Sequence, residues 1–169
     1  SLGKGEILAV EEKNASEKDN WLVEKPRIVL ALAFHELDIE NNLQFFRWGR
    51  EVLTRARPDV DLIILDSARS YEIVEALRDP RTVGVIAIGH TYKNAFGSNF
   101  VGADNQPLPK AVLSAATPAL RFFVMIGCHG EGAKTNHQIE FDMGRIPGRQ
   151  LVVLSRDPLV TTKKILFFP

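Results

Sequence analysis

The sequence predicts an α/β domain built as a three-layer sandwich, with helices on both faces of a mostly parallel β-sheet. Short continuous apolar runs, rich in Val and Ile, recur along the chain, and such runs are typical of strands that are covered on both faces. Stretches with helical spacing separate these runs. Because strand and helix alternate, we expect a parallel sheet with right-handed crossovers. The length of 169 residues fits a single domain of this kind.

Six apolar runs are the predicted strands, and three segments between them are the predicted helices. The strands are residues 28–34, 62–65, 83–88, 122–126, 151–154 and 165–168, of which the last could run antiparallel. The helices are residues 39–58, 70–77 and 107–116. Asp66 or Ser67 is the expected cap of the second helix, and Pro107 or Pro109 lies in the first turn of the third.

The composition excludes several classes of protein. The chain is 45% hydrophobic and carries 21 Lys and Arg against 21 Asp and Glu, so its formal net charge is zero. A balanced charge argues against nucleic acid as a partner. No apolar run approaches the roughly 18–20 residues that span a bilayer. We therefore expect a globular protein rather than a disordered, collagenous, coiled-coil or membrane-spanning one.

The first 26 residues differ in character from the rest of the chain. Acidic and basic side chains dominate residues 1–26, and two short apolar segments, 7–10 and 21–23, interrupt them. We expect a solvated leader that could lay one edge strand on the body, followed by a single domain over residues 27–169. The chain begins with Ser instead of Met, so we expect trimming, which leaves a lost leader or anchor open.

Residues that could take part in catalysis or ligand binding come directly after the predicted strands. In an open α/β sheet, ligands bind outside the carboxyl ends of the strands, where the winding reverses. The residues at these ends are His35 after the first strand, Asp66 after the second, Gly89 and His90 after the third, and Gly127, Cys128, His129 and Gly130 after the fourth.

His90 and Cys128 are the pair with catalytic potential. In the common winding order 2-1-3-4-5, the third and fourth strands are neighbours, about 4.8 Å apart, and their carboxyl ends share one edge. A cysteine becomes a nucleophile as its thiolate, which a nearby imidazole favours. The glycines around both residues permit tight turns, and the freed main-chain amides could hold a developing oxyanion.

The order of these parts resembles the caspase-like (clan CD) cysteine peptidases, in particular the metacaspase and CHAT types. A short helix at 70–78 leads into the apolar strand 83–90, which ends in Gly-His. Residues 101–109 look like the small hairpin of the family, and the strand 121–130 ends in Gly-Cys-His-Gly. The interval from His90 to Cys128 is close to the one usual in the family.

The resemblance implies a cysteine peptidase that acts on a peptide or protein substrate without a cofactor. It makes Cys128 the nucleophile and His90 the group that protonates the leaving amine. Main-chain amides near Thr91 and Cys128 would form the oxyanion hole, in turns made by Gly89, Gly127 and Gly130. The chain departs from the family at Thr91, where Gly is usual, and at Ile126, where metacaspases carry an acid.

Other interpretations stay open at this point. One is a catalytically inactive caspase-like domain that serves as a binding or scaffold module. Another is a phosphate-binding or phosphatase-like loop at residues 128–135, although neither the Cys-x5-Arg nor the P-loop spacing is met. His129, His35 and Asp66 are secondary site candidates, and no metal is expected. The lone cysteine is compatible with the cytoplasm, and the oligomeric state is open.

Overall fold

The structure, a computed structural model, describes residues 25–94, 97–109, 112–127 and 151–154. Within these residues the chain forms seven strands and a set of short helices. The strands are β1 (Arg27–Ala33), β2 (Asp61–Leu65), β3 (Thr82–Gly89), β4 (Thr91–Asn94), β5 (Gly97–Phe100), β6 (Phe122–Ile126) and β7 (Leu151–Leu154). The helices are α1 (Ile39–Trp48), a π-helical turn (Gly49–Leu53), α2 (Thr54–Ala56), α3 (Ser70–Arg78) and a 3-10 helix (Val112–Ala115).

Five of these strands form one parallel sheet in the order β2-β1-β3-β6-β7. This is the predicted winding: the chain moves outward from β1 to β2, returns past β1 to β3, and then continues to the other side. The order therefore reverses between β1 and β3. Strands β4 and β5 form a separate antiparallel hairpin directly after β3.

Two apolar layers cover the two faces of the sheet. On one face, Leu30 and Leu32 of β1 pack with Phe45 of α1, and all three side chains are fully buried. On the other face, alternate residues of the same strands pack with Ile73 and Leu77 of α3. Such two-sided burial explains the continuous apolar runs, because residues 28–33 of β1 and 84–88 of β3 are all buried. The predicted three-layer α/β sandwich is thus confirmed.

The third predicted helix differs from expectation, whereas the small hairpin expected at 101–109 is present in short form. The β4–β5 hairpin, which was not predicted, precedes it. Val101 forms an antiparallel bridge with Pro107, and the amides of Gly102 and Leu108 donate to the carbonyls of Gln106 and Phe100 at 2.8 and 2.9 Å. These bonds hold Pro107 and Leu108 extended, so a helix cannot begin there. Among the described residues of this segment, only the 3-10 helix Val112–Ala115 is helical.

The cap of α3 also differs from the prediction. Neither Asp66 nor Ser67 caps this helix: Asp66 is exposed in the turn after β2, and Ser67 takes a positive φ of 47°. The helix begins after Arg69, whose amide donates to Glu72 Oε2 at 2.7 Å. The prediction was wrong because the buried Ala68, whose amide donates to Leu32 O at 2.7 Å, fills the space between the turn and the helix.

Some predictions lie outside the described residues. They are residues 1–24 of the charged leader expected over 1–26, and the final strand expected at 165–168. Among the residues that the structure describes, no helix is long and apolar enough to cross a membrane.

The packing of the core predicts that replacing two leucines by alanine lowers the free energy of unfolding by different amounts. Leu30 is fully buried, whereas Leu43 on α1 keeps 45% of its surface exposed. We expect Leu30→Ala to lower the free energy of unfolding by about 2–5 kcal/mol, because it leaves a cavity between β1 and α1. The same substitution at Leu43 is expected to cost less than about 1 kcal/mol. Urea denaturation of the two variants measures the difference, and equal losses would contradict the packing described here.

Candidate active site

Strands β1, β3 and β6 bring their carboxyl ends to one edge of the sheet. Ile88 of β3 is paired with Ile126 of β6 in parallel register. The residues that follow, Gly89 and Gly127, therefore lie at neighbouring strand ends, and His90 comes next after Gly89. This edge is also where the winding reverses, between β1 and β3, which is the usual place of a ligand site in an open α/β sheet.

The imidazole of His90 stands at this edge and is accessible to solvent. Its side chain is 61% exposed. The ring of Phe34, directly after β1, meets the imidazole edge-on, with centroids 5.3 Å apart and an interplanar angle of 81°. Phe34 is itself buried and stacks on Phe45 at 5.5 Å. The main chain of His90 is fixed as well, because its carbonyl accepts from the amide of Val101 at 3.1 Å. The imidazole thus rests on a rigid apolar support while its nitrogens remain reachable.

A carboxylate faces this imidazole. Asp38 Oδ2 lies 3.7 Å from His90 Nε2. Asp38 is the N-cap of α1, where its side chain accepts from the amide of Asn41 at 3.4 Å and from Asn41 Nδ2 at 2.9 Å. It is about one-third exposed. The separation exceeds a direct hydrogen bond, but it is within the range in which an ion pair forms once the imidazole is protonated.

The end of β6 is closely packed against the start of β4. A Cβ atom added at Gly127 would lie 2.8 Å from Thr91 Oγ1, 3.3 Å from the carbonyl oxygen of Gly89 and 3.3 Å from Phe100 Cδ2. Glycine is therefore the residue that this strand end accommodates. Thr91 directs its hydroxyl toward Gly127. The next residue in the chain, Cys128, lies outside the described residues.

The other predicted site residues fall into two groups. His35 and Asp66 are described, and neither is placed against His90 by a described contact. His35 Nδ1 accepts from the amide of Leu37 at 3.1 Å, so its ring is used within its own turn. Asp66 follows β2, two strands away from β3. His129, Gly130 and the rest of the loop 128–135 lie outside the described residues.

Sequence reasoning missed Asn42, which fixes the turns at this edge. Asn42 is 6% exposed, and its Nδ2 donates to the carbonyl of His35 at 3.0 Å and to Ser67 Oγ at 3.3 Å. Its Oδ1 accepts from the amide of Ser67 at 3.4 Å. One side chain on α1 thereby joins the turns after β1 and β2. An amide on the otherwise apolar side of an amphipathic helix is the signal that could have revealed it.

Among the residues that the structure describes, there is no group of three or more His, Cys, Asp or Glu side chains that could hold a metal ion.

Comparison with models of known protein families and with curated protein sequences gives no match to this chain.

The contact between Gly127 and Thr91 leads to a stability prediction. We expect Gly127→Ala to lower the free energy of unfolding by about 1–3 kcal/mol, because the new methyl group overlaps Thr91 Oγ1. In a Thr91→Ala background the same substitution is expected to cost less, since the hydroxyl is gone. Urea denaturation of the wild type, the two single variants and the double variant tests this coupling. An identical cost in both backgrounds would show that the two side chains do not share this space.

The buried side-chain amide of Asn42 leads to a second stability prediction. Asn42→Ala leaves the amide of Ser67 and the carbonyl of His35 without this partner, so we expect a loss of about 1–3 kcal/mol in the free energy of unfolding. Gln44→Ala, on the same helix, removes only an exposed bond to Glu40 and is expected to stay within about 0.5 kcal/mol of wild type. Thermal or urea denaturation compares the two, and a harmless Asn42→Ala would refute this role.

Proposed function

We propose that this chain is a cysteine-type peptidase with a caspase-like fold, which hydrolyses peptide bonds through a Cys128–His90 dyad. The proposal rests on three features taken together: the winding order, the residue types at the strand ends, and the resemblance of the segment 67–132 to clan CD peptidases. Its substrate is a peptide or protein, and the chemistry requires no cofactor.

The observation that carries the proposal is the register between β3 and β6. Ile88 lies opposite Ile126, so Gly89 and Gly127 are neighbours, and adjacent strands are about 4.8 Å apart. His90 and Cys128 are the residues that follow these two glycines. The nucleophile candidate is thus one residue along the chain from a strand end that neighbours the one carrying the imidazole, and this supports the proposal.

The chemistry of the proposed dyad follows from these groups. The imidazole of His90 takes the proton of the Cys128 thiol, and the thiolate attacks the carbonyl carbon of the scissile bond. The electron pair of the carbonyl moves to its oxygen, and the main-chain amides near Thr91 and Cys128 stabilise that charge. The imidazolium then protonates the leaving amine, and water hydrolyses the acyl-enzyme. The exposure of the His90 side chain is suited to a group that must meet substrate and water.

One observation favours a second candidate, a caspase-like domain without catalytic activity that binds a partner. Thr91 places a hydroxyl against Gly127, at a strand end where the family usually has only glycine. Extra atoms at this point reduce the room for the carbonyl oxygen of a substrate. The two candidates share one fold and differ in the reactivity of the thiol.

The reactivity of Cys128 tests the peptidase directly. Cys128 is the only cysteine of the chain, so all labelling by iodoacetamide reports on it. We expect alkylation at neutral pH to be faster than that of free glutathione, and cleavage of a fluorogenic peptide library to be abolished by Cys128→Ser. We expect His90→Ala to slow cleavage by about 100-fold or more, the contribution typical of a positioned acid–base group.

His35→Ala is the matched control for His90→Ala. Both histidines follow parallel strands at the same edge and are exposed, but His35 Nδ1 is engaged by its own turn. The control is expected to retain cleavage. A thiol that reacts no faster than glutathione, together with no cleavage by the wild type, would reject the peptidase and favour the binding domain.

A further inference from the structure

We propose that Asp38 is a positioning residue for His90, which it holds in the tautomer that accepts a proton at Nδ1. This inference rests on the proposed function for the identity of the proton donor, Cys128. Its structural basis is independent of that function, because it consists of described side chains only: Asp38, His90, and the groups that hold each of them.

The geometry selects one nitrogen of the ring. Nε2 of His90 is the atom that lies 3.7 Å from Asp38 Oδ2. An ionised carboxylate only accepts hydrogen bonds, whereas a neutral imidazole has one N–H donor and one acceptor nitrogen. The carboxylate therefore favours the proton on Nε2. Nδ1 is then left as the acceptor.

Both partners are held from outside the pair. Asn41 donates to the carboxylate of Asp38 through its main-chain amide and its Nδ2. Phe34 supports the imidazole from β1, and the bond from Val101 fixes its main chain. Because α1 carries Asp38 and β3 leads into His90, the core contact between Phe45 and the sheet sets their separation. The fold therefore sets the separation of 3.7 Å between Asp38 Oδ2 and His90 Nε2.

The proton balance of the proposed step defines what Asp38 does. The thiol of Cys128 gives its proton to Nδ1, and the ring becomes an imidazolium with N–H groups on both nitrogens. Asp38 stabilises the charge from the Nε2 side without itself becoming protonated. When Nδ1 returns its proton to the leaving amine, the ring is neutral again with Nε2–H still directed at the carboxylate.

The substitution that isolates this role is Asp38→Asn. Asn is as good an N-cap as Asp, so α1 keeps its cap while the site loses the negative charge. The primary measurement is the ratio of the two neutral imidazole tautomers of His90, read from its ¹⁵N shifts. We expect the wild type to hold mainly Nε2–H, and Asp38→Asn to shift the ratio toward a mixture. His90→Gln identifies the signals among those of the four histidines.

The second measurement is the alkylation rate of Cys128 by iodoacetamide at neutral pH. We expect Asp38→Asn to lower it by about tenfold, and to lower kcat/KM for peptide cleavage by at least as much. Asp66→Asn is the control, since Asp66 is an exposed carboxylate at the same edge but after β2. It is expected to leave the tautomer ratio and both rates unchanged.

These measurements separate the positioning role from the peptidase itself. If Asp38→Asn leaves the tautomer ratio unchanged, the proposal is overturned, whether or not the wild type cleaves peptides. If the ratio shifts and the alkylation rate falls while no peptide is cleaved, Asp38 does position His90 and the peptidase function fails. If the ratio shifts but alkylation and cleavage match the wild type, the positioning is without consequence for the thiol and the proposal is overturned.

Discussion

The parallel pairing of β1, β3 and β6 is the constraint on which the remaining structure depends. Alternate residues of β1 enter different cores, Leu30 and Leu32 against α1 and Val29 and Ala31 against α3. A shift of one residue would exchange the two sets and place small side chains where large ones are needed. The register is therefore strongly fixed, and with it the point at which each strand ends. The site inherits its geometry from this packing.

The strands could be predicted from the sequence almost to their ends because a strand buried on both faces carries its own signature. Such a run is apolar throughout and stops where the chain leaves the sheet. The β4–β5 hairpin and the third helix could not be predicted in this way. At the start of the expected helix, the bond from the Leu108 amide to the Phe100 carbonyl and the bridge between Val101 and Pro107 hold the main chain extended. Tertiary hydrogen bonds of this kind override the intrinsic helix propensity of a segment.

The same distinction applies to the candidate site, where one residue could be predicted from the sequence and two others could not. His90 could be found because a strand end is visible in the sequence, and topology places neighbouring strand ends together. Asp38 and Asn42 could not, since they reach the edge only through the packing angle of α1 on the sheet. Polar residues near a strand end are common, and nothing in their spacing distinguishes a capping aspartate from one that faces an imidazole. The separation of 3.7 Å between Asp38 and His90 follows from how α1 packs on the sheet, and the sequence alone does not reveal that packing.

Thr91 contributes to the packing at this edge and also lies next to the proposed catalytic residue His90. As the first residue of β4, it begins the β4–β5 hairpin, and its hydroxyl lies beside Gly127. The same side chain therefore fills the space next to the end of β6, and in the proposed peptidase it lies beside the main-chain amides proposed for the oxyanion hole. A β-branched residue has few rotamers in which it could leave this space. In the proposed peptidase, the carbonyl oxygen of a substrate would therefore have to approach from a side that Thr91 leaves open.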